Sequence, residues 1–306
     1  GDAHGLIPNQ IIEVKSNVVE AFLGRIEDPE TNEDSDLLRL IEPAFRTVMV
    51  TELKDAALIR SKFGDVKGFE LLRTQNDFIQ KAIKRYEGRE VQHTGDGFMA
   101  SFASVSNCVK CALDIQEHFK EHNRHASGFQ VDMAIGLSAG DPVTEKDYFF
   151  GEAIQLAKRL GYIAGEGQIL MSSTVRDHYK KEGLEVLSEK EAIKALNPIE
   201  EKLLNRLIDV MEKAWNQEGF NVGDLGRQMA LSKSQLYRKI TSLTGHSPNE
   251  FIKEFRLKKA IGLIEKQQGN ISEIAFETGF NSPSYFSKCF HKRFGILPSD
   301  YADAIA

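Results

Sequence analysis

Long apolar runs are missing from this chain. No stretch of its 306 residues approaches the ~18 consecutive apolar positions of a membrane span, and no segment reads as a signal peptide. Cysteine is scarce as well. Cys108, Cys111 and Cys289 are too few for a disulfide framework, so a reducing compartment, the cytoplasm, is the expected location. Cys108 and Cys111 form a CxxC, but "SNCVKCALDIQEHF" carries the apolar spacing of an amphipathic helix and no second ligand pair follows. Core packing, and not zinc, is the reading. Acids are absent from two windows of a chain whose net charge is −6. Between Leu225 and Asn249 stand Arg227, Lys233, Arg238 and Lys239 without an Asp or Glu. Between Thr278 and Ser299 stand Lys288, Lys292 and Arg293, again without one.

What is present is ordinary for a globular protein: 41% hydrophobic and 27% charged residues, with length for about two domains at ~100–200 residues each. The charge is divided unevenly. Residues 199–306 hold 15 Lys and Arg against 13 Asp and Glu, and the rest holds 24 against 32. Local positive faces at one end of an acidic chain point to a polyanionic partner for that end alone.

The chain opens on Gly1 in place of Met, which reads as a fragment or processed product. Residues 1–44 form an N-terminal remnant and linker, with "EDPETNEDSD" at 27–36 as its polar, acidic stretch. "RTVMVTEL" at 46–53 is a strand and is followed by helix through about Glu87. "GREVQHTGDGFMASF" at 88–102 is a hairpin with a carboxylate, Asp96, at its tip. A helix over about 104–122, a strand over 129–140, a helix over 151–165 and the strand "QILMS" complete the series. Strand-helix-strand-strand-helix-strand is the pattern of a ferredoxin-like α+β sandwich, placed at 45–183. A linker over 184–199 leads to an all-α domain at 200–306, with the change of pattern near Asn197-Pro198.

Within the C-terminal domain, a pair of short helical patterns meets at a tight turn around Ala230-Leu231-Ser232. Ser232 is a good N-cap, Leu236 and Ile240 mark the buried side, and Lys233, Ser234, Tyr237 and Arg238 lie opposite. The arrangement repeats as "ISEIAFETGF" and "NSPSYFSKCFHKRFG", with Phe286 and Phe290 inward and Ser284, Ser287, Lys288 and Lys292 outward. Two such units in tandem can lay two helices in successive turns of one major groove. The competing reading is a helical interaction domain with solvated basic faces.

"LSKSQLYRKITSLTGHSPNEFI", "RLKKAIGLI" and "ISEIAFETGFNSPSYFSKCFHKRFGILPSDY" resemble the DNA-binding domain of AraC-type transcription regulators over residues 200–302. That resemblance implies base-reading positions at Ser234, Tyr237 and Arg238 of the first recognition helix and at Ser284, Ser287 and Lys288 of the second. Pro283 replaces a polar residue often used for contact there. Lys233, Lys239 and Lys292 complete the expected DNA-binding set, and double-stranded DNA is the implied partner.

Residues 46–182 resemble class III adenylate and guanylate cyclases through "TVMVTELKDAALIRSKFGD", "GREVQHTGDGFMASF", "VDMAIGLSAGDPV" and "FFGEAIQLAKRLGYIAGEGQILMS". In that family two aspartates hold metal ions, a Lys and an Asp or Thr read the purine, and an Asn and an Arg stabilise the transition state. Here Asp96 and Arg159 match. Glu52 replaces the first aspartate, Gln92 the purine-reading lysine, Tyr148 its partner (with Asp147 adjacent) and Gln155 the asparagine. Asp55 stands where the family has the glycine of a phosphate-cradling turn, and a carboxylate there is expected to cap the following helix and repel phosphate. At an effective dielectric near 20, two like charges ~4 Å apart cost about 4 kcal/mol. No catalytic residue is therefore expected to act, and Mg²⁺ or Mn²⁺ is implied as cofactor only if the site binds nucleotide.

His118, His122 and His125 have a spacing that could hold a metal, but the charged residues around them read as a solvated helix end. "AHGLIPNQIIEV" at 3–14 resembles the end of a small α/β-barrel domain of the metal-binding kind. The expectation is a homodimeric, sequence-specific transcription regulator without membrane attachment, whose degenerate cyclase-like domain dimerises and senses a small molecule or nucleotide. In the resemblance, Arg159 faces Glu52 and Asp96 of the partner chain. The alternative is an active or weakly active cyclase with a DNA-binding output domain.

Overall fold

The structure, a computed structural model, describes residues 45–94, 97–125, 130–141, 151–181 and 192–306. The described residues divide into two compact units. One comprises residues 45–54 with Thr74–Glu201, and the other Asp55–Arg73 with Lys202–Ala306.

The first unit is built on a six-stranded sheet. Its strands are β1 (Arg46–Leu53), β2 (Arg89–Thr94), β3 (Gly97–Phe102), β4 (Met133–Gly140), β5 (Ile169–Met171) and β6 (Ile193–Ala195), in the order β2-β3-β1-β4-β5-β6. The first four pair antiparallel, with Val50 opposite Met99 on one side and Gly136 on the other. This is the ferredoxin-like order that the element pattern implies, and β5 and β6 extend it in parallel. β1 is central and buried over nearly its whole length, which is why its run of Val, Met and Thr does not alternate with charged residues.

The helices of this unit are the C-terminal portion of α1 (Ala56–Arg85), α2 (Val105–His125), α3 (Gly151–Ile163) and α4 (Ser173–Lys181). α2 buries Val105, Cys108, Val109, Ala112, Ile115 and Phe119, one stripe at helical spacing. Cys108 and Cys111 are fully buried free thiols, as core packing requires, and burial pushes the Cys111 thiol up to about 12. α3 lies close on β4 because Gly136 has no side chain; a Cβ there would run into the Ala157 carbonyl and the Gly161 amide.

The second unit is helical: α5 (Pro198–Ala214), α6 (Val222–Met229), α7 (Lys233–Thr244), α8 (Pro248–Glu265), α9 (Ile271–Glu277), α10 (Pro283–Phe294) and α11 (Pro298–Ile305). The first residues of α1 also belong to it, up to and beyond a break at Gly64, whose φ of 78° suits glycine. Capping boxes open α6 (Asn221 with Asp224), α7 (Ser232 with Gln235) and α8 (Ser247 with Glu250). Left-handed residues close α6 at Ala230, α7 at Gly245 and α10 at Gly295. Phe286, Phe290 and Tyr301 are fully buried and form the centre of a core around α8–α11.

Candidate functional site

The turn between α6 and α7 places α7 as the second helix of a helix-turn-helix. Leu236 and Ile240 are fully buried, which turns Lys233, Ser234, Tyr237 and Arg238 into solvent; Tyr237 is 59% exposed. Lys239 is half-buried at the edge of that face. α9 and α10 repeat the unit. Ser282 caps α10 through the Tyr285 amide, and Pro283 takes the first helical position, where a missing N–H costs nothing. Phe286 and Phe290 point into the core, while Ser284, Lys288 and Lys292 are exposed and Ser287 is half-buried. Tyr285, which sequence reasoning did not single out, is 46% exposed on the first turn of α10. Its signal was an aromatic residue two positions after the Ser282-Pro283 cap, on the first turn of a second helix.

In the sheet unit Glu52 lies near the end of β1, Gln92 on β2, and Gln155 and Arg159 on α3. Asp96, Asp147 and Tyr148 lie outside the described residues. Lys54, also not anticipated, donates from Nζ to the carbonyls of Gly161 (3.2 Å) and Tyr162 (2.9 Å) at the end of α3, where a cation complements the helix dipole. The same ammonium stands 3.9 Å from the Glu52 carboxylate. A divalent ion at Glu52 would face this fixed positive charge, and no cluster of three metal-ligating side chains occurs among the described residues. Arg159 is 7% exposed and lies within the packing of its own chain. The Gln92 Oε1 is buried with no hydrogen-bond partner among the described residues.

Asp55 does not cap α1. Its φ is 53°, whereas a capping side chain needs extended backbone to reach the amides of the first turn. The backbone closes that turn instead, with the Leu58 amide donating to the Asp55 carbonyl at 3.0 Å, and the carboxylate goes to Arg293. The reading of a solvated helix end holds for the exposed His125 only. His118 is half-buried, 2.9 Å from the Gln75 side-chain oxygen and stacked on Phe78 at 3.6 Å between ring centroids.

With this geometry in view, the family model for the adenylate and guanylate cyclase catalytic domain matches residues 46–203, more than half of the chain. The chain belongs to this family. A second model, for a helix-turn-helix domain, matches residues 225–304, so the helical unit carries a DNA-binding domain of the AraC type.

Relatives divide along the same line. Histidine kinase P4 of Formosa agariphila is 42% identical over 106 residues, 35% of this chain and 8% of its own length. The transcriptional activator RhaS of Mannheimia succiniciproducens is 38% identical over 77 residues, 25% of this chain and 29% of its own. A putative adenylate cyclase 3 of Rhizobium meliloti is 25% identical over 109 residues, 35% of this chain and 19% of its own. The chain spans less than a third of the length of these curated relatives. Among solved structures, an adenylate/guanylate cyclase/hydrolase of Silicibacter pomeroyi is 26% identical, over 45% of this chain and 80% of that one, with a TM-score of 0.38. The DNA-binding domain of AdpA with a target DNA is 29% identical, over 32% and 91%, with a TM-score of 0.31.

Of the positions that the sequence reading matched to the cyclase set, the structure gives two a defined neighbour: Glu52 stands beside Lys54, and Asp55 is paired with Arg293.

Proposed function

We propose that this protein is a cytoplasmic transcription regulator in which the cyclase-family unit dimerises the chain and senses a ligand, and the AraC-type domain reads DNA. The observation that carries the reading is α7. It is a capped recognition helix with Lys233, Ser234, Tyr237 and Arg238 in solvent, inside a window without a single acid. Arg238 supplies a guanidinium fork for guanine, and the lysines supply phosphate contacts. Among the described residues no helix is long and apolar enough to cross a membrane.

The cyclase-family unit acts without turnover in this reading. Glu52 is opposed by Lys54, and the position of the phosphate-cradling glycine is a carboxylate engaged elsewhere. Gln92 keeps a recognition capacity, because its buried side-chain oxygen is an acceptor that an exocyclic amine of a base would satisfy.

Three measurements test the reading. Sites selected from random DNA by the purified chain should share a sequence, and the homodimer should place two copies of a bipartite half-site in each. Light scattering should find the full chain dimeric; a monomeric chain at micromolar concentration defeats the dimer. Incubation with ATP or GTP should yield no cyclic nucleotide above background. Metal-dependent turnover abolished by Asp96→Ala would replace this reading with that of a cyclase carrying a DNA-binding output domain.

A further inference from the structure

The last turn of α10 carries a guanidinium that the DNA-reading face does not use. Arg293 Nε donates to both carboxylate oxygens of Glu254 on α8, at 3.0 and 2.8 Å. Its Nη1 and Nη2 donate to Oδ2 and Oδ1 of Asp55, at 2.9 and 3.0 Å, a bidentate fork between residues 238 positions apart in sequence. Three residues further on, Leu58 is 2% exposed in the core that also holds Ile274, Phe286 and Phe290. The head of α1 is therefore docked on the second helix-turn-helix by one apolar plug and one ion pair, all within the helical unit.

Two carboxylates on one guanidinium exceed what neutralisation requires. Glu254 alone balances Arg293, so Asp55 brings a second carboxylate to the end of a helix whose Lys288 and Lys292 are exposed. A carboxylate in bidentate contact with Arg also has the geometry of a phosphate in the same contact. Burial would lower the Arg293 pKa, but the hydrogen bonds from Asp55 and Glu254 outweigh it and hold the group above its ordinary value, charged at every working pH. The docked state works against the backbone preference of Asp55, whose φ of 53° is uncommon for a residue other than glycine.

We propose that Asp55 is an internal substitute for a DNA phosphate: with the head of α1 docked, its carboxylate occupies Arg293, and undocking hands that guanidinium fork to the DNA backbone. The contact is an autoinhibitory latch on the second helix-turn-helix. This inference rests on the reading that the helical unit binds duplex DNA.

The test uses the full chain and a random-sequence duplex, with affinity followed by fluorescence anisotropy across a salt series. Asp55→Asn and Asp55→Gly remove the charge, and both residues accept a left-handed backbone, so the two variants separate the latch from misfolding. Both should bind several-fold more tightly than the parent at about 0.1 M salt, and the plot of log K against log salt should steepen by ~0.9, the share of one phosphate. In an Arg293→Gln background Asp55→Asn should add nothing. Unchanged or weaker binding by both Asp55 variants, or an equal gain without Arg293, overturns the latch and leaves a structural ion pair. If the parent and every variant fail to bind the duplex, the DNA-binding reading itself falls, and the latch with it.

Discussion

The two helix-turn-helix units share one plan and differ in what holds their second helices. α7 stands on aliphatic packing, with Leu225, Leu236, Ile240 and Leu243 buried, and its cations are exposed. α10 stands on an aromatic ladder, Phe286 to Phe290 to Phe294, with ring centroids 5.8 and 4.8 Å apart and Tyr301 against Phe290. Its Arg293 is occupied by two carboxylates, and a segment from far upstream, Leu58, belongs to its core. Two copies of one motif thus differ in what packs behind the second helix. The surface pattern of a recognition helix does not show this difference, because it lies behind that surface.

The largest effect expected from this contrast is on stability. Phe290→Ala removes a fully buried ring from the ladder and should cost about 3–5 kcal/mol, while Ile240→Ala in the first unit should cost about 2–5 kcal/mol and fall below it. Denaturant titration of both variants checks the order, and an equal loss would mean that the two cores bear alike. Next in size is base reading. Arg238→Ala should weaken binding to a selected site by about 1–3 kcal/mol relative to a random duplex, and Lys288→Ala should do less. A parallel loss on specific and random DNA would remove Arg238 from the reading face. Smaller again is Lys239→Ala, which should weaken binding to all sequences alike and lower the salt slope by ~0.9.

The smallest effect lies in the sheet unit. Burial lowers the His118 pKa, assisted by His122 and opposed by Asp114. A histidine with a depressed folded pKa binds its proton less readily when folded than when unfolded. Stability is therefore whole above the ordinary value of 6.5 and declines as pH falls from there through the folded pKa. His118→Gln should flatten the pH dependence of the denaturation midpoint below about 6.5. An unchanged profile would place the titration elsewhere.

Much of the architecture was legible because it rests on short-range pattern. The strand at 46–53, the buried pairs Leu236 with Ile240 and Phe286 with Phe290, and the Ser232 cap follow from periodicity and local hydrogen bonding, which sequence encodes within a few residues. The AraC-type and cyclase-family domains were readable for the same reason, as their motifs are contiguous. Lys54 was missed because its partners, the Gly161 and Tyr162 carbonyls, become neighbours only when α3 packs on the sheet. His118 was misread because Gln75 and Phe78 reach it from another helix.

Sequence by itself determined the ferredoxin-like strand order and the tandem helix-turn-helix, and it supplied the residue identities at Glu52 and Asp55. Tertiary structure alone decided what those two side chains face. A glutamate at position 52 reads from sequence only as a longer carboxylate, and the fold places the Lys54 ammonium 3.9 Å from it. An aspartate at position 55 reads as a helix cap until its backbone turns left-handed and its carboxylate meets a guanidinium 238 residues later. The physical reason is range: backbone propensity and capping act over one helical turn, whereas a charge is defined by every group within a few ångströms, and only the folded chain chooses those neighbours.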